Sequence, residues 1–284
     1  MIRRRRQIHR LNQEILLADS ITHVVYPRDS GKVVICGSHG GYSAAVLALQ
    51  RHIKGVIFND AGGGKERAGV AGLEILNRYG VPAAAVDAFT ARIGIAYETK
   101  KGIVSYANDL AQSAGVRIGS IAENAAQVMA SADTPSMQSI DGNMEVEEEL
   151  TVVYTHPAGR RIVAMDSNSM VNEENQMDII MTGSHGGRVG SLPAVKYHVA
   201  AAFYNDAGVG KDNAGISRLT WLEENHIYGA AVDANTARIG IGMETYKTGI
   251  VSHVNALTES IGIRPGISAA EAARIILRCL EKQS

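Results

Sequence analysis

Short apolar runs that break off at glycine-rich polar turns set the rhythm of this chain. Lys32-Val-Val-Ile-Cys36, Gly55-Val-Ile-Phe58 and Pro82-Ala-Ala-Ala-Val86 are too short for helices and too uniformly apolar for strands with one wet face. Runs of that kind mark strands covered on both faces. Between them, residues 43–53 and 66–79 have helical composition, the second ending near Gly80. Strand, helix, strand, helix, strand with short connections predicts an α/β fold with a mainly parallel sheet flanked by helices. Two apolar runs, Leu150-Thr-Val-Val-Tyr-Thr155 and Arg161-Ile-Val-Ala-Met165, flank a Pro-Ala-Gly-Arg turn and read as a β-hairpin. The stretch 8–18 does not separate helix from strand by its pattern, and residues 122–130 and 269–281 are again helical.

The same pattern occurs twice. Gly37-Ser-His-Gly-Gly41 recurs as Gly183-Ser-His-Gly-Gly187, Asn59-Asp-Ala-Gly62 as Asn205-Asp-Ala-Gly208, and Ala84-Ala-Val-Asp-Ala88 as Ala230-Ala-Val-Asp-Ala234, all at one offset. Thr90-Ala-Arg-Ile-Gly-Ile95 and Glu98-Thr99 recur as Thr236-Ala-Arg-Ile-Gly-Ile241 and Glu244-Thr245. Ungapped comparison of 37–99 with 183–245 gives 30 identities in 63 positions, where chance gives a handful. With one-residue slips, Asp19-Ser20 pairs with Asp166-Ser167, and Gly102-Ile-Val-Ser105 with Gly249-Ile-Val-Ser252. The expectation is a tandem duplication of one α/β unit, packed as a pseudo-twofold pair. Its parts would be 1–131, an acidic turn-rich linker at 132–149, and 150–284. Identity is concentrated in the turns, whereas the helices 42–53 and 188–199 share little beyond Ala48/Ala194 and His52/His198.

Composition narrows the function classes. With 28 basic and 29 acidic side chains the formal charge is −1, so no global field favours nucleic acid or a membrane surface. Cys36 and Cys279 cannot form a disulfide framework and read as free thiols of a reducing compartment. The arginines at 3–6 are followed by polar Gln7-Ile-His-Arg rather than an apolar core, and no run approaches a membrane span, so a cytoplasmic location is expected.

The repeated polar residues fall where open parallel sheets bind ligands, beyond the carboxyl ends of the strands. Ser38 and His39 follow the first strand, Asn59 and Asp60 the second, and Asp87, Thr90 and Arg92 the third. Ser184, His185, Asn205, Asp206, Asp233, Thr236 and Arg238 repeat the set. Ser38, His39, Asp60 and their counterparts Ser184, His185 and Asp206 are the catalytic candidates, because imidazole titrates near neutrality and a strand-end carboxylate can orient it. The N–H groups of Gly40, Gly41, Gly186 and Gly187 would face an anion or oxyanion at a helix start. Asn59, Asn205, Thr90 and Thr236 would line the ligand. Arg92 and Arg238 offer a fork for a carboxylate or phosphate, with an internal salt bridge to the nearby aspartate as the competing role. Lys65 and Lys211 would reach an anionic substrate. They do not belong to a phosphate loop, since Asn precedes the turn and Glu66 or Asp212 follows the lysine. Asx turns and histidine caps are the structural alternatives for the aspartates and imidazoles.

No nucleotide-cofactor motif is present. A divalent metal is possible on His39, Asp60 and Asp87, or on His185, Asp206 and Asp233, a mixed N/O set without sequence-local spacing. The order His-Gly after one strand and Asp-Ala after the next resembles the metacaspase layout over a few residues per half. Gly62 and Gly208 stand where that family carries its nucleophilic cysteine, so no role carries over. The expectation is a hydrolase of a small anionic, carboxylate- or amide-bearing metabolite, with an isomerase or lyase on the same substrates, a non-catalytic anion sensor and a structural pseudo-dimer as alternatives. Either two similar sites or one composite crevice would result, and a homo-oligomer is possible.

Overall fold

A computed structural model describes residues 8–133 and 148–282 of the chain. The arginines at 3–6 and positions 134–147 of the expected linker lie outside these residues. The chain divides into two compact units. Unit 1 comprises Met1–Gly62, Gly69–Val146 and Gly210–Asp212; unit 2 comprises Gly63–Ala68, Glu147–Val209 and Asn213–Ser284.

Unit 1 runs β1 (Ile8–Arg10), β2 (Ile15–Ala18), β3 (Val33–His39), α1 (Tyr42–Gln50), β4 (Gly55–Asn59), α2 (Gly72–Arg78), β5 (Ala83–Val86), α3 (Ala96–Thr99), β6 (Val104–Ala107), α4 (Asp109–Ser113) and α5 (Ala122–Ser131). Its six strands lie in sequence order, β1-β2-β3-β4-β5-β6. The four central strands are parallel, while β1 and β6 run antiparallel to their neighbours, so the sheet is mixed. The short ambiguous stretch at 8–18 is therefore a hairpin. Strand alternation divides the core between two faces. Val34, Cys36, Val56 and Phe58 pack with Ala45, Leu49, Leu73 and Leu76 of α1 and α2. Val33, Ile35, Ile57 and Val86 pack with Ala96, Ala111, Ala122, Ala126 and Met129 of α3, α4 and α5. A fully buried Leu49 or Phe58 contributes about 2 kcal/mol by removal from water.

Unit 2 runs β7 (Leu150–Thr155), β8 (Arg161–Met165), β9 (Ile179–His185), β10 (Ala201–Asn205), α6 (Arg218–Glu224), β11 (Tyr228–Val232), α7 (Gly242–Lys247), β12 (Val251–Val254), α8 (Ala256–Ser260) and α9 (Ala269–Glu281). Its sheet has the order β12-β11-β10-β9-β8-β7, again with antiparallel edge strands and parallel β8 to β11. The amphipathic α9 buries Ala269, Ala272, Ala273, Ile276 and Leu277 against one sheet face.

Two expected helices differ. The segment 66–79 is helical only over α2, because Glu66 and Arg67 adopt positive φ (54° and 57°), which an α-helix cannot contain. The segment 188–199 is an open loop. Gly190 and Pro193 fall where a helix interior would be, and each opposes helix, proline by removing a donor and clashing with the preceding turn. Strand order in neither sheet reverses, so neither has the topological switch point that creates a ligand crevice in doubly wound folds.

Candidate functional site

Parallel register carries the repeated polar residues to one edge of each sheet. His39 pairs with Asn59 and Asn59 with Val86 in unit 1; His185 pairs with Asn205 and Asn205 with Val232 in unit 2. The expected residues are thus neighbours, but most spend their polar atoms on the turns that hold them.

The glycine N–H groups are occupied. Gly40 N–H donates to Asn59 O (3.2 Å) and Gly41 N–H to Nδ1 of His39 (3.1 Å). In unit 2, Gly186 N–H donates to Asn205 O (2.7 Å) and Gly187 N–H to Nδ1 of His185 (3.2 Å). They therefore do not supply the oxyanion donors expected from the sequence. The acceptor role of Nδ1 places the ring proton of a neutral His39 on Nε2, and burial pushes its pKa down to about 4. The serine hydroxyls turn away from these rings, as strand alternation demands. Ser38 Oγ accepts the Ile21 N–H (3.1 Å) and Ser184 Oγ the Asn168 N–H (2.9 Å), pinning the preceding loop in each case.

The asparagines are fully buried cross-links. Asn59 accepts from Ala61 N–H and donates to Ala91 O, both at 2.9 Å; Asn205 does the same with Ala207 and Ala237. They tie the second strand end to the Asp-Thr-Arg loop. Thr90 and Thr236 close that loop, donating to Asp87 O and Asp233 O and accepting the N–H of Ile103 and Ile250. Asp87 and Asp233 accept from the N–H two residues on, in Asx turns.

Asp60 and Asp206 are the buried carboxyls of the site. Oδ1 of Asp60 accepts the N–H groups of Gly62 and Ala88, both at 2.9 Å, and Oδ2 accepts the hydroxyl of Ser105 at 2.8 Å. Asp206 accepts from Gly208 (2.9 Å) and Ala234 (3.0 Å) and interacts with Ser252. Burial pushes both carboxyls above the usual aspartate range, opposed by these donors. Ser252 Oγ also lies 3.1 Å from Nδ1 of His253, where unit 1 has Tyr106. The sequence flagged the Gly-Ile-Val-Ser repeat but not these serines as site residues. Sheet pairing of β6 and β12 is what brings them beside the aspartates.

Among the described residues no group of three or more His, Cys, Asp or Glu side chains is arranged to hold a metal ion. The two candidate triads fail for a local reason. Nδ1 of each histidine faces a glycine N–H, and the aspartate oxygens are engaged by backbone and serine donors. Cys36 is fully buried and its thiol is pushed up to about 12, which removes it as a nucleophile.

The charged residues pair with one another. In unit 1, Glu98 accepts from Lys211 Nζ (2.9 Å) and from Arg92 (3.3 Å), and Lys211 then Arg92 hold its carboxyl below the usual range. In unit 2, Glu244 accepts from Arg238 Nε (2.5 Å), the Arg238 N–H (3.0 Å) and Lys65 Nζ (3.0 Å). Burial works to raise Glu244, but these donors outweigh it and hold the carboxyl at about 2. The arginines and lysines expected to bind substrate thus carry internal counter-ions, and the aspartates considered as partners for the arginines are not those counter-ions. Glu98 and Glu244 were visible as a repeated Glu-Thr, but only the fold identifies their partners.

No helix among the described residues is long and apolar enough to cross a membrane. No family model, curated protein or solved structure matches the chain.

Proposed function

We propose that the chain is a hydrolase of a small anionic, carboxylate- or amide-bearing metabolite, with Ser105–Asp60 and Ser252–Asp206 as its nucleophile–base pairs. One observation carries this reading: the Ser105 hydroxyl donates to Oδ2 of Asp60 at 2.8 Å while two backbone N–H groups fix the other oxygen. A nucleophile within hydrogen-bond reach of a base that a further group orients is the diagnostic arrangement for covalent catalysis. Burial of Asp60 and Asp206 raises their proton affinity, which suits a base. In the proposed step Ser Oγ attacks the carbonyl carbon and its proton passes to the carboxylate. The carbonyl then re-forms as the C–N or C–O bond breaks, and the carboxyl returns the proton to the leaving group. Water hydrolyses the acyl-serine by the same path in reverse. His253 beside Ser252 gives unit 2 a second proton acceptor. Recurrence of the two backbone N–H bonds to the aspartate at matched positions also supports the reading of the two units as copies of one sequence.

Labelling with a fluorophosphonate, which phosphorylates an activated serine and releases fluoride, tests the assignment without knowledge of the substrate. Peptide mass spectrometry is expected to find the label on Ser105 or Ser252, with at least tenfold slower labelling in Asp60→Asn or Asp206→Asn. Absence of label on both serines under conditions that saturate a serine hydrolase control would overturn the reading.

A further inference from the structure

Unit 2 buries a cation that has no carboxylate. Arg218, at the start of α6, is only 5% exposed, and no ion pair involves it among the described residues. Its Nε donates to Gly187 O (3.0 Å) and its Nη1 to Ala194 O, and its guanidinium lies 4.9 Å from the centre of the Tyr204 ring. These contacts satisfy donors and soften the field, but none cancels the charge. Tyr204 is not a counter-ion. Its hydroxyl donates to Asn168 Oδ1 (2.8 Å), and burial raises its pKa, so it stays a neutral phenol.

A second cation makes the imbalance worse. Arg188 acts on Arg218 as a like charge, and its backbone N–H is held by Ser217 Oγ at 3.0 Å, one residue before Arg218. Nε of Arg188 is buried and has no hydrogen-bond partner. Two guanidiniums beside one glycine turn, one deeply buried and the other with an idle buried donor, make a site short of negative charge. Buried charge is ordinarily compensated, and the arginine fork matches planar oxyanions. The matched positions in unit 1 are Tyr42 and Gly72, and a Cβ at Gly72 would come within 2.4 Å of Gly41 O, so no such cluster exists there.

We propose that Arg188 and Arg218 bind a small oxyanion, a carboxylate or phosphate group, beside the Gly186–Gly187 turn. The site deepens the hydrolase reading, on which it rests only for the notion that this oxyanion belongs to the substrate. Arg238, already tied to Glu244, is then not the residue that holds the substrate's anionic group. Specificity for an anion resides in unit 2 alone.

Calorimetric titration of the full chain with inorganic phosphate and, separately, succinate, at ionic strength held constant with chloride, tests the site. Saturable binding of at least one of them is expected, and the stronger of the two identifies the oxyanion. Arg188→Gln changes a half-buried side chain and leaves the backbone contacts of the loop in place, and it is expected to weaken binding at least tenfold. Arg92→Gln, in unit 1, is expected to leave binding unchanged. Absence of saturable binding of either anion, or unchanged affinity in Arg188→Gln, overturns the proposal. Because no turnover is read, failure of serine labelling leaves this result standing, and failure here leaves the serine assignment standing.

Discussion

The crossover from β3 to β4 is a nine-residue helix, and the crossover from β9 to β10 is an open loop, although both leave the same Gly-Ser-His-Gly-Gly turn. In α1 the backbone satisfies its own carbonyls, and Ala44, Ala45, Ala48 and Leu49 fill the space against the sheet. In the loop the carbonyls need donors from elsewhere. Ala194 O takes two of them, from Arg218 and Asn168. Buried backbone groups must be paired by some partner, so a crossover that is a loop rather than a helix requires polar side chains in the core of its unit. That requirement put a guanidinium where unit 1 has the hydrogen of Gly72. The difference in crossover thereby goes with a difference in the electrostatics of the strand-end edge.

The comparison can be broken most strongly in α1. Leu47→Pro removes an intrahelical hydrogen bond and clashes with the preceding turn, and should lower stability by about 3 kcal/mol or more. Urea unfolding of the full chain measures it, and an effect under about 1 kcal/mol would mean that α1 is as dispensable as the helix missing from unit 2. Arg218→Ala comes next. It deprives Gly187 O of its donor and unstacks Tyr204, for an expected loss of about 2 kcal/mol. Increased stability would show that the uncompensated charge outweighs the tether.

A third effect is read against pH. His39 is held at about 4 in the folded chain and titrates near its ordinary 6.5 when unfolded. Between those values the unfolded state binds more protons, so stability should fall as pH drops from about 6.5 to about 4 and level off below. His39→Asn, which keeps an acceptor for Gly41 N–H, should flatten that part of the stability curve. An unchanged slope would place the imidazole in contact with water. The smallest effect is expected from Pro193→Ala. The loop is held by Arg218 and Asn168 rather than by proline alone, so stability should change by less than about 0.5 kcal/mol, with no gain in helical circular dichroism.

Patterning made much of the fold legible. The hairpin at Leu150–Thr155 and Arg161–Met165 and the helix Ala269–Glu281 fall where alternation and helical periodicity put them. The edge strands β6 and β12 were not legible, because four residues of mixed polarity carry too little pattern to separate from a loop. Their antiparallel pairing, together with that of β1 and β7 at the opposite edges, is why neither sheet is purely parallel. The open loop at 188–199 carried its signal in Gly190 and Pro193, which the expectation of matched helices overrode.

For the candidate site, sequence placed Ser38, His39, Asn59, Asp60, Asp87 and their counterparts at strand ends, and the register agrees. Which atoms remain available was beyond it. Residue type says that an imidazole can shuttle a proton, but only packing reveals that Nδ1 of His39 accepts the Gly41 N–H. A glycine offers its N–H to any acceptor, and only the fold shows that Asn59 O has taken that of Gly40. Sequence alone therefore determined where polar chemistry would collect, because strand length and turn residues act locally. Tertiary structure decided which groups are spent on the scaffold and which keep an unmet need, because hydrogen bonding and desolvation depend on neighbours distant in the chain. Ser105 beside Asp60 and Arg218 buried with no carboxylate partner among the described residues are products of that second level.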